Sequence, residues 1–291
     1  MSELLEVTDL SVTISTPAGL LQPVQRVSVN VGSGEVVGVV GESGCGKSTL
    51  LKAVAGVLPR GASATGSLRV CGTQTPLGRS SHGVAMIFQD PMTSLNPVLS
   101  VGEQVAEVPR HRDGVSRSEA RARAIELLSE VGIADAEQRL GAYPHQLSGG
   151  LRQRVVIAAA LSGDPKLLLC DEPTTALDVT VQATFIRLLQ RLVQSRDLGI
   201  LYVTHDLPLL ATMCDRIDVM YAGQVVERGS REQVLHAPAH PYTAALLRAA
   251  PRLEARMHSL PSIPGLPPRL LAPLPAGCRF APRCPHAADE C

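Results

Sequence analysis

Tryptophan is absent from this 291-residue chain, which holds only four tyrosines and three phenylalanines. No Phe, Tyr or Trp precedes Phe88, so none of those rings in that stretch can stack on a planar ligand. Lysine is nearly as scarce, confined to Lys47, Lys52 and Lys166. Positive and negative charges cancel to a net charge of zero, so no basic field points to nucleic acid or an anionic lipid surface. Although 45% of the residues are hydrophobic, no apolar run approaches the roughly 20 residues needed to span a bilayer. The opening MSELLEVTDL is acidic and lacks a positive n-region, so no signal peptide is expected there. Seven cysteines, an odd number, read as reduced thiols or metal ligands of a cytosolic chain and not as a disulfide framework.

What is present begins at residues 36–49, VVGVVGESGCGKST. The valine run reads as a buried strand, the stretch from Gly46 as a helix, and the glycines between them as a loop. Backbone N–H groups in such a loop, at the positive end of a helix, cradle an anion. The spacing from Gly41 to Gly46-Lys47-Ser48 fits the phosphate loop G-x-x-x-x-G-K-[ST]. Gly41, Glu42, Ser43, Gly44, Cys45, Gly46, Lys47, Ser48 and Thr49 are therefore candidate nucleotide contacts. Lys47 would reach the β- and γ-phosphates, and the Ser48 hydroxyl would ligate Mg²⁺. No Asn-Lys-x-Asp guanine motif occurs, so ATP is the expected nucleotide.

Residues 1–40 alternate apolar and polar, as expected of an antiparallel β region feeding the loop. From about 100 to 163 helical periodicity takes over, and strands return at KLLLCDEP, ILYVTHD and IDVMYAGQVVERG. Alternating apolar strands and helices imply an α/β core with a parallel sheet, into which a helical block at about 90–163 is inserted. Nine of the 22 prolines fall in the last 41 residues, predicting an extended strap with turns beyond about residue 231.

Three strand ends carry chemistry. Asp171-Glu172 closes KLLLCDEP: Asp171 would hold Mg²⁺, and Glu172 would polarise an attacking water as general base. His205 closes ILYVTHD, where it would contact the γ-phosphate, and Gln89 closes VAMIFQD, where its amide would meet Mg²⁺ or the lytic water. The stretch LSGGLRQR (147–154) opens a helix with free N–H groups and no lysine. A serine-capped helix after a glycine turn is the plain alternative; a site for ATP held by another subunit is the economical one.

Together these residues resemble the ATP-binding-cassette ATPases, the nucleotide-binding subunits of ABC transporters. The resemblance covers about residues 3–230 and rests on the phosphate loop, Gln89, the signature Leu147-Ser148-Gly149-Gly150, the strand Leu167–Glu172, the turn Ala176-Leu177-Asp178, and His205. It implies a P-loop NTPase fold with an antiparallel β subdomain and an inserted helical subdomain. It implies catalytic roles for Glu172, His205, Gln89 and Lys47, Mg²⁺ held by Ser48, Gln89 and Asp171, and ATP contacts made in trans by Ser148, Gly149, Gly150 and Asp178. It further implies a cassette domain at 1–230 and an extension at 231–291. The expected partners are a second cassette, different in sequence or identical, two transmembrane permeases and, indirectly, a solute-binding protein. The expected location is the cytoplasmic face of the membrane. FQDPMTSLNPVLSVGEQ (88–104), HPYTAALLRAAP (240–251) and GCRFAPRCPHAADEC (277–291) resemble the oligopeptide/dipeptide importer branch. Branches carrying nickel or glutathione share parts of that pattern, and soluble cassette ATPases of DNA repair or translation are the alternative of another class.

Two departures stand out. The family stacks adenine on an aromatic near the first hairpin; here aliphatic atoms around Ile14 or Thr16, or a partner's residue, must serve. Related tails carry four cysteines resembling an iron–sulfur site, whereas only Cys278, Cys284 and Cys291 stand here, spaced C-x5-C-x6-C. A [4Fe–4S] cluster with a fourth ligand from elsewhere, or Zn²⁺, stands open beside a remnant with free thiols. Cys45, Cys71, Cys170 and Cys214 read as small packing residues.

Overall fold

The computed structural model describes residues 2–89, 94–175, 178–250, 262–274 and 276–291. In chain order the elements begin with β1 (Glu3–Thr16), β2 (Gly19–Gly32), β3 (Val36–Val40), α1 (Lys47–Ala55), β4 (Ala62–Val70) and β5 (Thr73–Gln74). There follow β6 (Val84–Ile87), α2 (Val101–His111), α3 (Arg117–Glu130), α4 (Ala136–Arg139), α5 (Gly149–Leu161), β7 (Leu167–Asp171) and α6 (Val179–Arg196). The rest are β8 (Gly199–Thr204), α7 (Leu207–Met213), β9 (Arg216–Tyr221), β10 (Gln224–Ser230), α8 (Arg231–His236) and α9 (Pro241–Ala249). They form two compact units, Met1–Ser81 with Leu201–Cys291, and His82–Ile200.

In the first unit, β1 pairs antiparallel with β2 on one side and β4 on the other, giving the order β2-β1-β4-β5. Period-two placement buries Leu5 with Val7 and, past a register shift at Asp9, Leu10 with Val12. A second set of strands runs β10-β9-β3-β8. Every residue of β3 is buried and the strand lies parallel to β9, the pattern of a strand covered on both faces. One charged residue sits fully buried in β9. Asp218 is held by Arg216 at 3.4 Å and by both Nε (2.9 Å) and Nη2 (2.7 Å) of Arg228. A buried carboxylate survives only with such partners.

The proline-rich tail departs from the expected strap at its start. Residues 231–249 hold α8 and α9, because Ser230 with Gln233 forms a capping box and Pro241 occupies the first turn of α9, where its missing N–H costs nothing. Strap-like structure comes later. Leu271 bridges Leu21 in β2, flanked by hydrogen bonds from Gln22 N to Leu270 O (2.7 Å) and from Ala272 N to Leu20 O (2.8 Å). This covers an otherwise open sheet edge.

In the second unit, β6 and β7 run parallel with Ile87 opposite Cys170. The helices α2 to α5 fall in the stretch expected to be inserted, but the compact unit runs wider, over 82–200, and includes β6, β7 and α6. Arg196 of α6 grips Glu130 at the end of α3 through Nε (2.7 Å) and Nη2 (2.5 Å). Cys45, Cys170 and Cys214 are buried as expected, but Cys71 is exposed. It occupies a turn at φ 48° before Gly72, where no packing partner is required.

Candidate functional site

The phosphate loop leaves the end of β3 and enters α1. Its shape is imposed by the chain's own packing. A Cβ on Gly41 would stand 2.0 Å from the Met220 carbonyl oxygen, and one on Gly46 would stand 1.9 Å from that of Pro23. Gly46 also takes φ 107°, open only to glycine, and serves as the N-cap of α1 without a capping side chain. No acidic residue occupies the first turn of α1, so its N-terminal field is not cancelled locally. Lys47 is buried, and its Nζ donates to the carbonyls of Gly41 (2.8 Å) and Glu42 (3.0 Å) across the loop. Cys45 packs beside it, and burial pushes its thiol pKa up, so it stays a neutral filler. His205 is exposed just beyond β8, the neighbour of β3, and Asp206 after it caps α7 by accepting from Leu209 N (3.2 Å).

Residues the sequence reading did not single out hold this loop from the tail. Glu42 N donates to the Tyr242 hydroxyl at 2.9 Å, and the Glu42 carboxylate receives Arg283 Nη1 (2.7 Å) and Nη2 (3.0 Å). Tyr221, Tyr242 and Phe280 pack around that pair with centroids 4.5 to 5.4 Å apart. Burial drives the Tyr242 hydroxyl pKa well above its ordinary value, keeping it protonated.

In the second unit, Asp171 ends β7 and is buried, with Glu172 next at φ 45°. A left-handed glutamate is strained, and strain of this kind collects at functional positions. Thr175 Oγ1 donates to its carboxylate at 3.2 Å. Gln89 lies two residues past β6, so the parallel register brings Gln89 and Asp171-Glu172 to the same end of the strand pair. Ser148 is exposed at the N-cap of α5 but makes no capping hydrogen bond. A Cβ on Gly149 would meet nothing within 4 Å. Gln153, buried and also missed, ties α5 to the Asp171-Glu172 turn by donating Nε2 to the Pro173 carbonyl at 2.7 Å. A buried amide on a helix face was the available signal. Asp178 caps α6, its Oδ1 accepting from Thr180 N (3.0 Å) and Val181 N (2.9 Å), while Ala176 and Leu177 lie outside the described residues.

Ser48, Gln89 and Asp171 offer a hydroxyl, an amide and a carboxylate, the hard oxygen donors that suit Mg²⁺. The cysteine tail fits its expected group less well. The backbones of Cys278 and Cys291 meet through the Cys278 N to Cys291 O hydrogen bond (2.6 Å), yet among the described residues no three His, Cys, Asp or Glu side chains are grouped to hold a metal. Cys278, Cys284 and Cys291 thus carry no support as a [4Fe–4S] site, since a closed site needs four ligands.

Fold and site together define an α/β protein of the phosphate-loop class. Residues 24–175 match the ABC transporter family, and residues 226–291 match the C-terminal region of oligopeptide/dipeptide transporters. The chain belongs to the ABC transporter family. It is 46% identical over 301 residues to the oligopeptide transport ATP-binding protein OppD of Salmonella typhimurium, covering 99% of this chain and 88% of that one. It is 48% identical over 298 residues to the dipeptide transport ATP-binding protein DppD of Escherichia coli, covering 99% and 90%. Against OppD of Mycobacterium tuberculosis it is 48% identical over its whole length, but it spans only 49% of that relative, about half. Among solved structures it resembles the dimeric post-hydrolysis state of the ATP-binding cassette MJ0796 bound to ADP and Pi. There the TM-score is 0.66 at 27% identity, over 78% of this chain and 98% of that one. It also resembles cbiO1 from Clostridium perfringens, part of the ABC transporter complex cbiONQ, with TM-score 0.69 at 27% identity over 81% and 92%.

Proposed function

We propose that the chain binds and hydrolyses ATP as the cassette subunit of an importer of oligopeptides or dipeptides. The observation that carries this reading is the pair of bare helix starts. Among the described α-helices, only α1, α5 and the one-turn α4 begin without a capping side chain. The two longer ones are those that the phosphate loop and the signature stretch open, and free N–H groups at a helix start bind anionic oxygens.

In this reading Lys47 and the loop amides hold the β- and γ-phosphates. Ser148, Gly149 and Gly150 of a facing cassette, with its Asp178, close over the γ-phosphate in trans. Ser48, Gln89 and Asp171 would hold Mg²⁺, which would supply charge neutralisation to the phosphates. Glu172 accepts the proton of the attacking water, and His205 positions the γ-phosphate. ATP binds the closed pair better than the open one, so binding and loss of the γ-phosphate drive the cycle. The open space at Gly149 supports a surface shaped for something other than this chain's own packing.

The proposed partners are a second, different cassette, two permeases and a solute-binding protein beyond them. No described helix is long and apolar enough to cross a membrane. Attachment at the cytoplasmic face therefore runs through the permeases in this reading. Relatives named for oligopeptide and dipeptide transport, and the matched C-terminal region, support the substrate class. The test is Glu172→Gln. ATP binding should persist while phosphate release falls about 100-fold or more; undiminished turnover would remove Glu172 from the role of base.

A further inference from the structure

Glu42 is an odd residue for its place. It puts a carboxylate inside a loop whose amides are arranged for an anion, and an uncompensated negative charge there opposes a triphosphate. The tail answers that charge. Arg283 is only 5% exposed and spends its whole fork locally. Nε donates to Pro264 O (2.8 Å), Nη1 to Glu42 (2.7 Å) and the Tyr221 hydroxyl (3.2 Å), and Nη2 to Glu42 (3.0 Å) and Ile263 O (3.3 Å). Its guanidinium lies 5.8 Å from the Tyr221 centroid and 6.0 Å from that of Phe280. Three of the chain's seven aromatics, Tyr221, Tyr242 and Phe280, meet at this junction, so a chain poor in rings concentrates them here. Tyr242 takes the Glu42 N–H as well, so backbone and side chain of one loop residue are both fixed from beyond residue 240.

We propose that Arg283 is a positioning residue for the phosphate loop: by neutralising and orienting Glu42, the docked tail sets how tightly the loop takes a nucleoside triphosphate. A tail that merely anchored itself has the β2 edge for that purpose. Its buried cation instead ends on the loop, and a bidentate arginine–carboxylate pair fixes geometry as well as charge. The inference rests on the nucleotide-binding reading above.

The experiment is calorimetric titration of the full chain with Mg²⁺ and the non-hydrolysable analogue AMP-PNP. Wild type, Arg283→Ala, Glu42→Gln and the double variant are compared, with melting followed without nucleotide. Arg283→Ala should bind about tenfold more weakly or worse, since it frees a carboxylate against the phosphates. Glu42→Gln sets its own baseline, and in that background Arg283→Ala should weaken binding by less than about threefold, a coupling that lost tail docking alone would not produce. Should Arg283→Ala not fold, Arg283→Lys replaces it. That variant keeps the charge without the fork and should bind more weakly than wild type only when Glu42 is present. Arginine variants that bind as wild type does, or a loss that Glu42→Gln leaves in place, overturn the proposal. A wild-type chain that does not bind overturns the nucleotide reading itself, and this inference with it.

Discussion

The starts of α1 and α5 are alike in lacking a capping side chain and differ in everything that surrounds them. At α1 the loop is determined from within: Gly41 and Gly46 are compressed against carbonyl oxygens, Lys47 is buried, and Glu42 is gripped by Arg283 and Tyr242. At α5, Ser148 is exposed and a Cβ on Gly149 would meet nothing within 4 Å, while the tethers come from further along the helix, Arg152 Nε on the Pro144 carbonyl and Gln153 Nε2 on that of Pro173. On the proposed reading, the contrast separates two ways of building an anion site, one completed by its own chain and the other left bare for a facing cassette.

Matched alanines would break that contrast if it is wrong. Gly41→Ala puts a methyl group into the Met220 carbonyl and should destabilise the protein by about 3 kcal/mol, read as a fall in melting temperature. Gly149→Ala has room, and alanine is the better helix former, so its melting temperature should hold or rise slightly. Its phosphate release should nonetheless collapse, because the bare tip then meets its partner with an added methyl. Equal loss of stability in both would erase the distinction.

The sequence made the candidate chemistry legible because each motif residue sits at a strand end or helix start, positions that hydrophobic runs and glycines announce. Asp171 ends its strand, and Gln89, Glu172 and His205 follow theirs, where the apolar patterns stop. The parallel pairing of β6 with β7, and of β3 with β9, is the kind of order that alternating strands and helices imply. Arg283 was not legible, since its partner lies 241 residues away and no local period encodes a pairing of that span. The tail helices were legible in principle through Ser230, Gln233 and Pro241. The proline count obscured them, although all nine of those prolines lie at or beyond residue 251. Cys71 resembled the buried cysteines only because composition ignores turns.

A smaller effect sharpens the same comparison. Asp178 caps α6 with two hydrogen bonds, so Asp178→Ala should cost about 1 kcal/mol in addition to any loss of turnover. Ser148→Ala removes a hydroxyl that caps nothing, and stability should stay within about 0.5 kcal/mol. Denaturant unfolding distinguishes them. A Ser148→Ala penalty equal to that of Asp178→Ala would mean that its hydroxyl serves its own helix after all.

The smallest effect is a dependence on pH that only the braced side should show. His240 caps α9, the helix that carries Tyr242 to the phosphate loop, by accepting the Tyr242 N–H on Nδ1 at 3.1 Å, so the neutral ring does the capping. Burial lowers its pKa below the ordinary 6.5, and the carboxylate of Glu227, which also receives Ala239 N and His240 N, opposes the shift without cancelling it. The folded protein therefore binds fewer protons here than the unfolded chain. The contribution is complete above pH 6.5 and is lost as pH falls below that value toward the folded pKa. Because the ring is only half-buried, the whole effect should be less than about 1 kcal/mol. His240→Asn puts an amide oxygen that does not titrate in place of the capping Nδ1. Urea midpoints for this variant should flatten between about pH 5 and 7, where those of the wild type decline. An unchanged decline would place the proton elsewhere and leave the brace independent of pH.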